Sequence, residues 1–358
     1  MRPSPALSIL PCLAGLAQAE PLPPRLGALL DRAATAPSSH NSQPWRVLVA
    51  NDTSFRLEVD PARRLRAVDP GDRETLLSLG AFWETLEQAA LAQGWQVEAK
   101  IISAPKNLVP VAVNFVLHRT GVPADSGERL ARLAARSTHR GAFDTTAIRP
   151  EHLQILMRAV PGSAWFPAAS PQGKWIGSSL VEANAQQAKN DARQQELSSW
   201  LRFSRQEVRA RADGLTPEMM GKGALVQFWW YHFMDSADVL KPWFRSASET
   251  TARSQVEHCA GFLVLTSPDA SPSSLLLTGR EFQQLTLLSP TLGIALHPMS
   301  QLMEESPWNE ELSARLGISG TVQFVLRAGY ASSLPRASLR RPATAFASWE
   351  TEGTAKPR

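Results

Sequence analysis

Cysteine is scarce in this chain of 358 residues: Cys12 and Cys259 are the two present. Two thiols so far apart make neither a disulfide framework nor a metal-ligand spacing. His139 and His297 have no partner at ligand spacing and read as surface or core histidines. Beyond the first twenty residues there is no apolar run of the roughly 20 residues that a membrane span needs. The Gly-x-Gly-x-x-Gly fingerprint of a dinucleotide domain is missing, and so is the Gly-x-Ser-x-Gly turn of many hydrolases. Gly221-Lys222-Gly223-Ala224 has neither the frame nor the hydroxyl of a phosphate loop. No basic arm or aromatic-interleaved segment suggests nucleic acid. The net charge of +4 is spread along the chain and suits a small anionic ligand. A hydrophobic share of 43% with 20% charged residues marks a globular chain, long enough for two domains or one duplicated fold.

The most distinctive stretch is Ala36-Pro37-Ser38-Ser39-His40-Asn41-Ser42-Gln43-Pro44-Trp45. It follows a helical run, Leu26 to Ala34, with Leu26, Leu29, Leu30 and Ala33 on one face, and precedes a strand from Arg46 to Ala50. Pro37 stops the helix, and Pro44 favours an extended Gln43. Small hydroxyls and amides on such a loop can hydrogen-bond the edge of a flat polar heterocycle. On composition alone, a plain connection with Trp45 in the core is the commoner outcome. The second signal is Arg136-Ser137-Thr138-His139-Arg140, closing a helix from Glu128. Guanidinium forks bind phosphate oxygens in pairs, although two such arginines more often form a solvated face.

The rest reads as alternating elements. A strand at Ser54–Asp60 and the turn Pro70-Gly71-Asp72 lead into a long helix, Thr75–Ala92, whose Ser78, Gly80 and Ala81 allow close approach. Strands follow at Gln96–Ser103 and Val111–His118, then a turn-rich break at Thr120–Gly127. Further on, a short strand is expected at Gly173–Ile176, helices at Leu180–Arg193 and Gln195–Arg211, and a strand at His258–Leu265. Helices at Ser273–Leu288 and Gln301–Leu316 and a last strand, Thr321–Arg327, precede a frayed tail from Ala343.

Pro37-Ser38-Ser39-x-Asn41-Ser42-Gln43-Pro44-Trp45 resembles the flavin-binding loop of the nitroreductase family, whose members bind FMN at a dimer interface. Arg136-x-Thr138-x-Arg140 resembles that family's Arg-x-Ser-x-Arg phosphate motif, with threonine for serine and one extra residue before Phe143. In an ordinary member the arginine motif comes first; here the loop lies in the first half and the arginines in the second. This order resembles the Acg-like branch and implies two fused nitroreductase-like halves around a single FMN. The fold so implied is α+β, a pseudo-dimeric tandem duplication with mixed, mainly antiparallel sheets surrounded by helices. The halves would span residues 25–122 and 123–345. A Trp-, Phe- and Met-rich insertion at about 196–250 would be either a lid or a packed core element, and a tail at 346–358 would be disordered.

The resemblance implies that Pro37, Ser38, Ser39 and Asn41 face the flavin, while Gln43 and Trp45 fix the loop. Arg136, Thr138, Arg140 and Arg341 would clamp the phosphate with Arg340 assisting, and Gly293, in Thr291–Ala295, would lie beside the ring. No acid or base is demanded of the protein, because flavin carries the electrons. The implied activity is NAD(P)H-dependent two-step hydride transfer through FMN to a small-molecule acceptor such as a nitroaromatic or quinone, by a monomer with no nucleic-acid or membrane partner. The alternative is a non-catalytic protein that stores FMN under a closed lid. Residues 1–24 read as a flexible start or a signal peptide: Ala6–Ala17 is apolar and Ala17-Gln18-Ala19 resembles a cleavage site, but the charged start is thin and Pro11 interrupts the run. A cytoplasmic protein is expected, or a periplasmic one if residues 1–19 are a signal.

Overall fold

The computed structural model describes residues 21–103, 109, 111–123, 125–331 and 338–350. Helix α1 (Pro24–Ala33) buries Leu26, Leu29, Leu30 and Ala33, one face of a 3.6-residue period. Strands β1 (Trp45–Asn51) and β2 (Ser54–Val59) form a hairpin. Helix α2 (Arg73–Leu91) is buried almost all round, and strands β3 (Trp95–Ser103) and β4 (Val111–Arg119) follow it. Helix α3 (Ser126–Ala135) ends directly before Arg136.

Next come α4 (Pro150–Ala159) and β5 (Ser163–Pro167). Five helices come next: α5 (Pro171–Lys189), α6 (Asp191–Trp200), α7 (Arg205–Arg211), α8 (Ala224–Phe233) and α9 (Pro242–Glu257). Then follow β6 (Gly261–Ser267), α10 (Pro272–Leu288), β7 (Ile294–Pro298), α11 (Gln301–Glu304), α12 (Trp308–Leu316), β8 (Thr321–Tyr330) and β9 (Ala347–Trp349).

The fold is α+β with two sheets, ordered β3-β4-β2-β1-β9 and β5-β6-β8-β7. Without β9 the two orders are one pattern: two strands, a long helix, and two strands of which the last returns beside the second. Within this pattern every pairing is antiparallel. The halves differ in their first connection. A tight turn joins β1 to β2, whereas residues 168–260, with α5 to α9, separate β5 from β6.

The halves meet where α2 crosses α10. A Cβ on Gly80 would lie 2.0 Å from the Leu276 carbonyl oxygen, and one on Gly279 would lie 2.1 Å from that of Leu77. The contact is reciprocal, and only glycine admits backbones so close. Polar ties flank it: Arg280 binds the buried Glu84 at 2.9 Å and lies over Trp83, and Gln283 Nε2 donates to Thr85 Oγ1 at 2.8 Å. Leu275, Leu276 and Leu287 of α10 join the core of the first half.

Three expectations are corrected, and one strand is added to them. Gly173–Ile176 is the first turn of α5, which Ser170 caps by accepting from Gly173 N, with Pro171 at the start. Ser163–Pro167 is a strand, paired along its length with β6. The helix expected over Gln301–Leu316 breaks between Glu304 and Trp308, where Pro307 stands. The tail does not fray at Ala343. Residues Ala347–Trp349 run parallel to β1, Phe346 is buried against Trp45, and Ala343 N donates to Asp31 Oδ1 at 2.6 Å. The signal-peptide question and residues 351–358 lie outside the described residues. Among those described, no helix is long and apolar enough to cross a membrane, and no cluster of His, Cys, Asp and Glu could hold a metal ion.

Candidate functional site

Between α1 and β1 the loop is held in an unusual shape. His40, Asn41 and Gln43 have φ of 51°, 53° and 52°, a left-handed region that non-glycine residues seldom adopt and that concentrates at functional sites. Gln43 is therefore not extended before Pro44, because its hydrogen bonds hold it otherwise. Its N–H donates to Ser38 Oγ at 3.0 Å, its side chain donates to the Ala212 carbonyl at 2.9 Å, and its Oε1 accepts from Arg341 N at 2.9 Å. Buried Gln43 thus fixes three segments together and lines neither cavity described next. Trp45 is a core residue against Phe82.

On one side of the loop lies a small cavity of ≈ 40 Å³, formed with Arg136, Ser137, Thr138, Arg140 and Arg340. No carboxylate is among its lining residues. Arg136 is buried with Nε and Nη1 unpartnered, and Ser137 Oγ, Asn41 Oδ1 and Arg340 Nε are unpartnered too. Arg140 donates only to a carbonyl, that of Met219 at 3.1 Å. Burial pushes Arg136 and Arg140 down to about 10 and Arg340 to about 9, so all three stay cationic at neutral pH. Three guanidinium groups around one small void, with orphaned donors and no counter-charge, form a site for an anion.

The clamp differs from expectation in one respect. Arg340 lines it, and Arg341 does not. The Arg341 guanidinium donates to the Gln43 carbonyl at 2.7 Å and to that of Ala345, and lies over Phe346. Arg341→Ala should therefore cost about 1–3 kcal/mol of stability, since it strands a buried carbonyl, yet leave anion affinity unchanged. Urea unfolding beside a phosphate titration checks both. Gly293 lines neither this cavity nor the larger one described next. Its φ of +69° makes the turn before β7, and His297 and Pro298 at the strand's other end reach the site instead.

Pro37, Ser38, Thr138 and Arg140 also line a second cavity of ≈ 220 Å³, together with Ser39 and His40. Leu77, Ser78 and Ala81 of α2 form one wall, and Phe282 and Phe324, stacked at 4.2 Å, lie in another. Buried His297 faces the cavity with a fixed tautomer. Its Nδ1 accepts from Arg327 Nε at 2.9 Å, and a guanidinium can only donate, so the ring proton sits on Nε2. Burial and the Arg327 charge hold the imidazole well below its usual range and hence neutral. Arg327 is anchored by the Gly141 carbonyl at 2.7 Å and by the face of Phe143. Sequence reasoning set His297 aside because its partner stands on the neighbouring strand, far along the chain.

The insertion closes over the loop through residues 212–219. Gly214 N donates to the Asn41 carbonyl at 3.2 Å, and Asn41 Nδ2 donates to that of Gly214 at 3.1 Å. Asp213 pairs with Arg63 and Arg202, and Leu215 and Met219 supply cavity wall. The aromatic residues divide differently. Trp230, Met234 and Phe244 pack a core of their own, while Phe228, Trp229, Phe233 and Trp243 are exposed.

No model of a protein family matches the chain. It is similar over 316 residues to the "Probable NAD(P)H nitroreductase PigM" of Serratia sp., at 24% identity, with 82% of this chain and 85% of that one covered. It is 26% identical over 344 residues to the "Putative NAD(P)H nitroreductase acg" of Mycobacterium tuberculosis, covering 87% and 91%. Over most of its length the chain is thus similar to proteins named NAD(P)H nitroreductases. A second Mycobacterium tuberculosis protein named a putative NAD(P)H nitroreductase is 35% identical over 116 residues, about a third of either chain. Among solved structures, the FMN-dependent nitroreductase NfnB from Mycobacterium smegmatis, in complex with NADPH, overlays at 15% identity with a TM-score of 0.36. The overlay covers 65% of this chain and 99% of NfnB, and is too loose to equate the two folds.

Proposed function

We propose that the chain binds FMN and is an oxidoreductase, drawing electrons from NAD(P)H and delivering them to a small electrophile such as a nitroaromatic or a quinone. One observation carries this reading: a guanidinium pocket without a counter-charge adjoins a larger cavity across Pro37, Ser38, Thr138 and Arg140. A phosphate joined by a polar chain to a flat ring fits such a pair. The orphaned donors of Arg136, Arg340 and Ser137 suit the phosphate oxygens. Pro37, Ser38 and Ser39 would face the ring, with Leu77 and Ala81 excluding water, and His297 Nε2–H would serve as a fixed neutral donor. Bound FMN would supply the redox chemistry by accepting a hydride from NAD(P)H and returning it to the acceptor.

The shared strand order of the two sheets supports a fused pseudo-dimer, monomeric in solution, with halves at 25–122 and 123–345. The bonds from residues 212–214 to Asn41 and Gln43 favour a second reading, in which the insertion stays shut and the protein holds FMN without turnover.

Reconstitution with FMN, removal of free ligand and anaerobic titration with NADPH test both. A yellow protein bleached within seconds is expected. A colourless protein refutes the proposal. A yellow protein bleached by dithionite and not by NADPH or NADH establishes the second reading.

A further inference from the structure

Beside Ser39 and His40, the larger cavity carries two carboxyl groups. Glu74 stands in the first turn of α2 and Glu304 ends α11, and both line the same cavity close enough for their charges to interact. Two buried carboxylates in such proximity repel each other, so one of them keeps a proton. The surroundings decide which residue keeps it. Glu74 receives Arg73 Nη2 at 2.9 Å, a hydrogen bond from Ser39, and the positive end of α2. Besides Glu74, Glu304 has the neutral side chains of Gln187 and Ser300 and, as the smallest influence, the Arg73 charge; Arg193 of α6 binds Glu305 and the Glu304 carbonyl instead of its carboxyl.

Burial and the Glu74 charge lift Glu304 well above the ordinary carboxyl range. Burial opposes ionisation of Glu74, yet Arg73 and the Glu304 side chain hold it low. No other titratable or charged group lining the cavity supplies an acid. His40 is lowered by burial, His297 is neutral, and Arg140 is a cation across the cavity. Asp69, raised to about 7 by burial and the Glu74 charge, does not line the cavity; it lies at the start of α2 and accepts from the N–H groups of Glu74 and Thr75.

We propose, resting on the function inferred above, that Glu304 with Glu74 as its anionic partner donates the proton to the acceptor reduced in this cavity. For a quinone the balance is one hydride equivalent, supplied by NAD(P)H, and one proton. The Glu304 O–H bond breaks and an O–H bond forms on the quinone oxygen, giving the quinol. Glu304 is left as a carboxylate beside Glu74, and repulsion between the two drives recovery of a proton from water.

The test has a readout independent of turnover. In FMN-free protein at pH 7, the infrared difference between wild type and Glu304→Gln should show a carboxylic-acid C=O band that shifts in D₂O. Absence of that band from the wild type overturns the proposal. In FMN-loaded protein pre-reduced by NADPH, Glu304→Gln should slow the quinone step by about 100-fold, the scale of general-acid catalysis, and leave the nicotinamide step unchanged. Glu304→Asp should recover part of the loss. Glu304 is active while protonated, so the quinone step falls as pH rises through its raised value. Glu74→Gln removes the anion that raises it, and the falling limb should move to lower pH. A colourless wild type overturns the function reading and the donor role together. A yellow wild type that Glu304→Gln matches in the quinone step overturns the donor role alone.

Discussion

Arg136→Met is expected to weaken FMN binding by about 100-fold and, in the same protein, to raise the melting temperature of the FMN-free form. The two signs come from one fact. Arg136 is buried, with two of its guanidinium nitrogens unpartnered and no carboxylate in its pocket. Each charge-assisted hydrogen bond is worth about 1.5–3 kcal/mol, and about 1.4 kcal/mol is a factor of ten, so the loss of two bonds to a phosphate reaches that range. Without ligand the same charge is a liability, and replacing buried ionic groups by an apolar side chain of similar volume is often stabilising by about 1–4 kcal/mol. Methionine can follow the path of the arginine stem. FMN fluorescence quenching gives the affinity, and thermal melts without ligand and with inorganic phosphate give the stabilities. Unchanged affinity with a lowered melting temperature would mean that the cluster is structural and the anion site is misassigned.

Gly80→Ala and Gly279→Ala should each cost about 3 kcal/mol or more, the upper end of what overpacking does. Helix propensity taken alone predicts the opposite, a gain of about 0.5–1 kcal/mol from glycine to alanine in a helix interior. Packing wins because the new methyl group would sit 2.0 Å or 2.1 Å from a backbone carbonyl oxygen, which cannot swing aside as a side chain can. The helices must move apart, loosening Glu84–Arg280 and Thr85–Gln283 and the core shared by the halves. Once they have separated, the second methyl group finds room, so the double variant should lose less than the sum of the single losses. Urea unfolding of the three variants checks this, and losses under 1 kcal/mol would show that the crossing is not the junction it is taken to be.

The outcome for the site follows the reach of each signal. The loop 36–45 and the Arg136–Arg140 motif were legible because each is contiguous, and their meeting at one place was implied by a resemblance to paired subunits. Arg340 and Arg341 could not be told apart, since adjacent residues in an extended segment point to opposite sides. One faces the void, and the other turns to the Gln43 carbonyl and Phe346. His297 and Glu304 were passed over as donors because their meaning lies in Arg327 and Glu74, which are distant in the chain.

By itself the sequence determined the local elements: the amphipathic α1, the hairpin β1–β2, the long helices α2 and α10, and a loop too constrained by proline to join either neighbour. Hydrophobic period and proline chemistry act within a few residues, so they can be read without a fold. Tertiary structure decided what depends on a partner. Strand β5 is short and β9 spans Ala347–Trp349, too few residues to show a period, and each exists because a neighbouring strand takes up its backbone hydrogen bonds. The close crossing at Gly80 and Gly279, the fixed tautomer of His297 and the raised carboxyl of Glu304 beside Glu74 have the same origin. Each is a property of two groups brought together by folding, and neither group carries it alone.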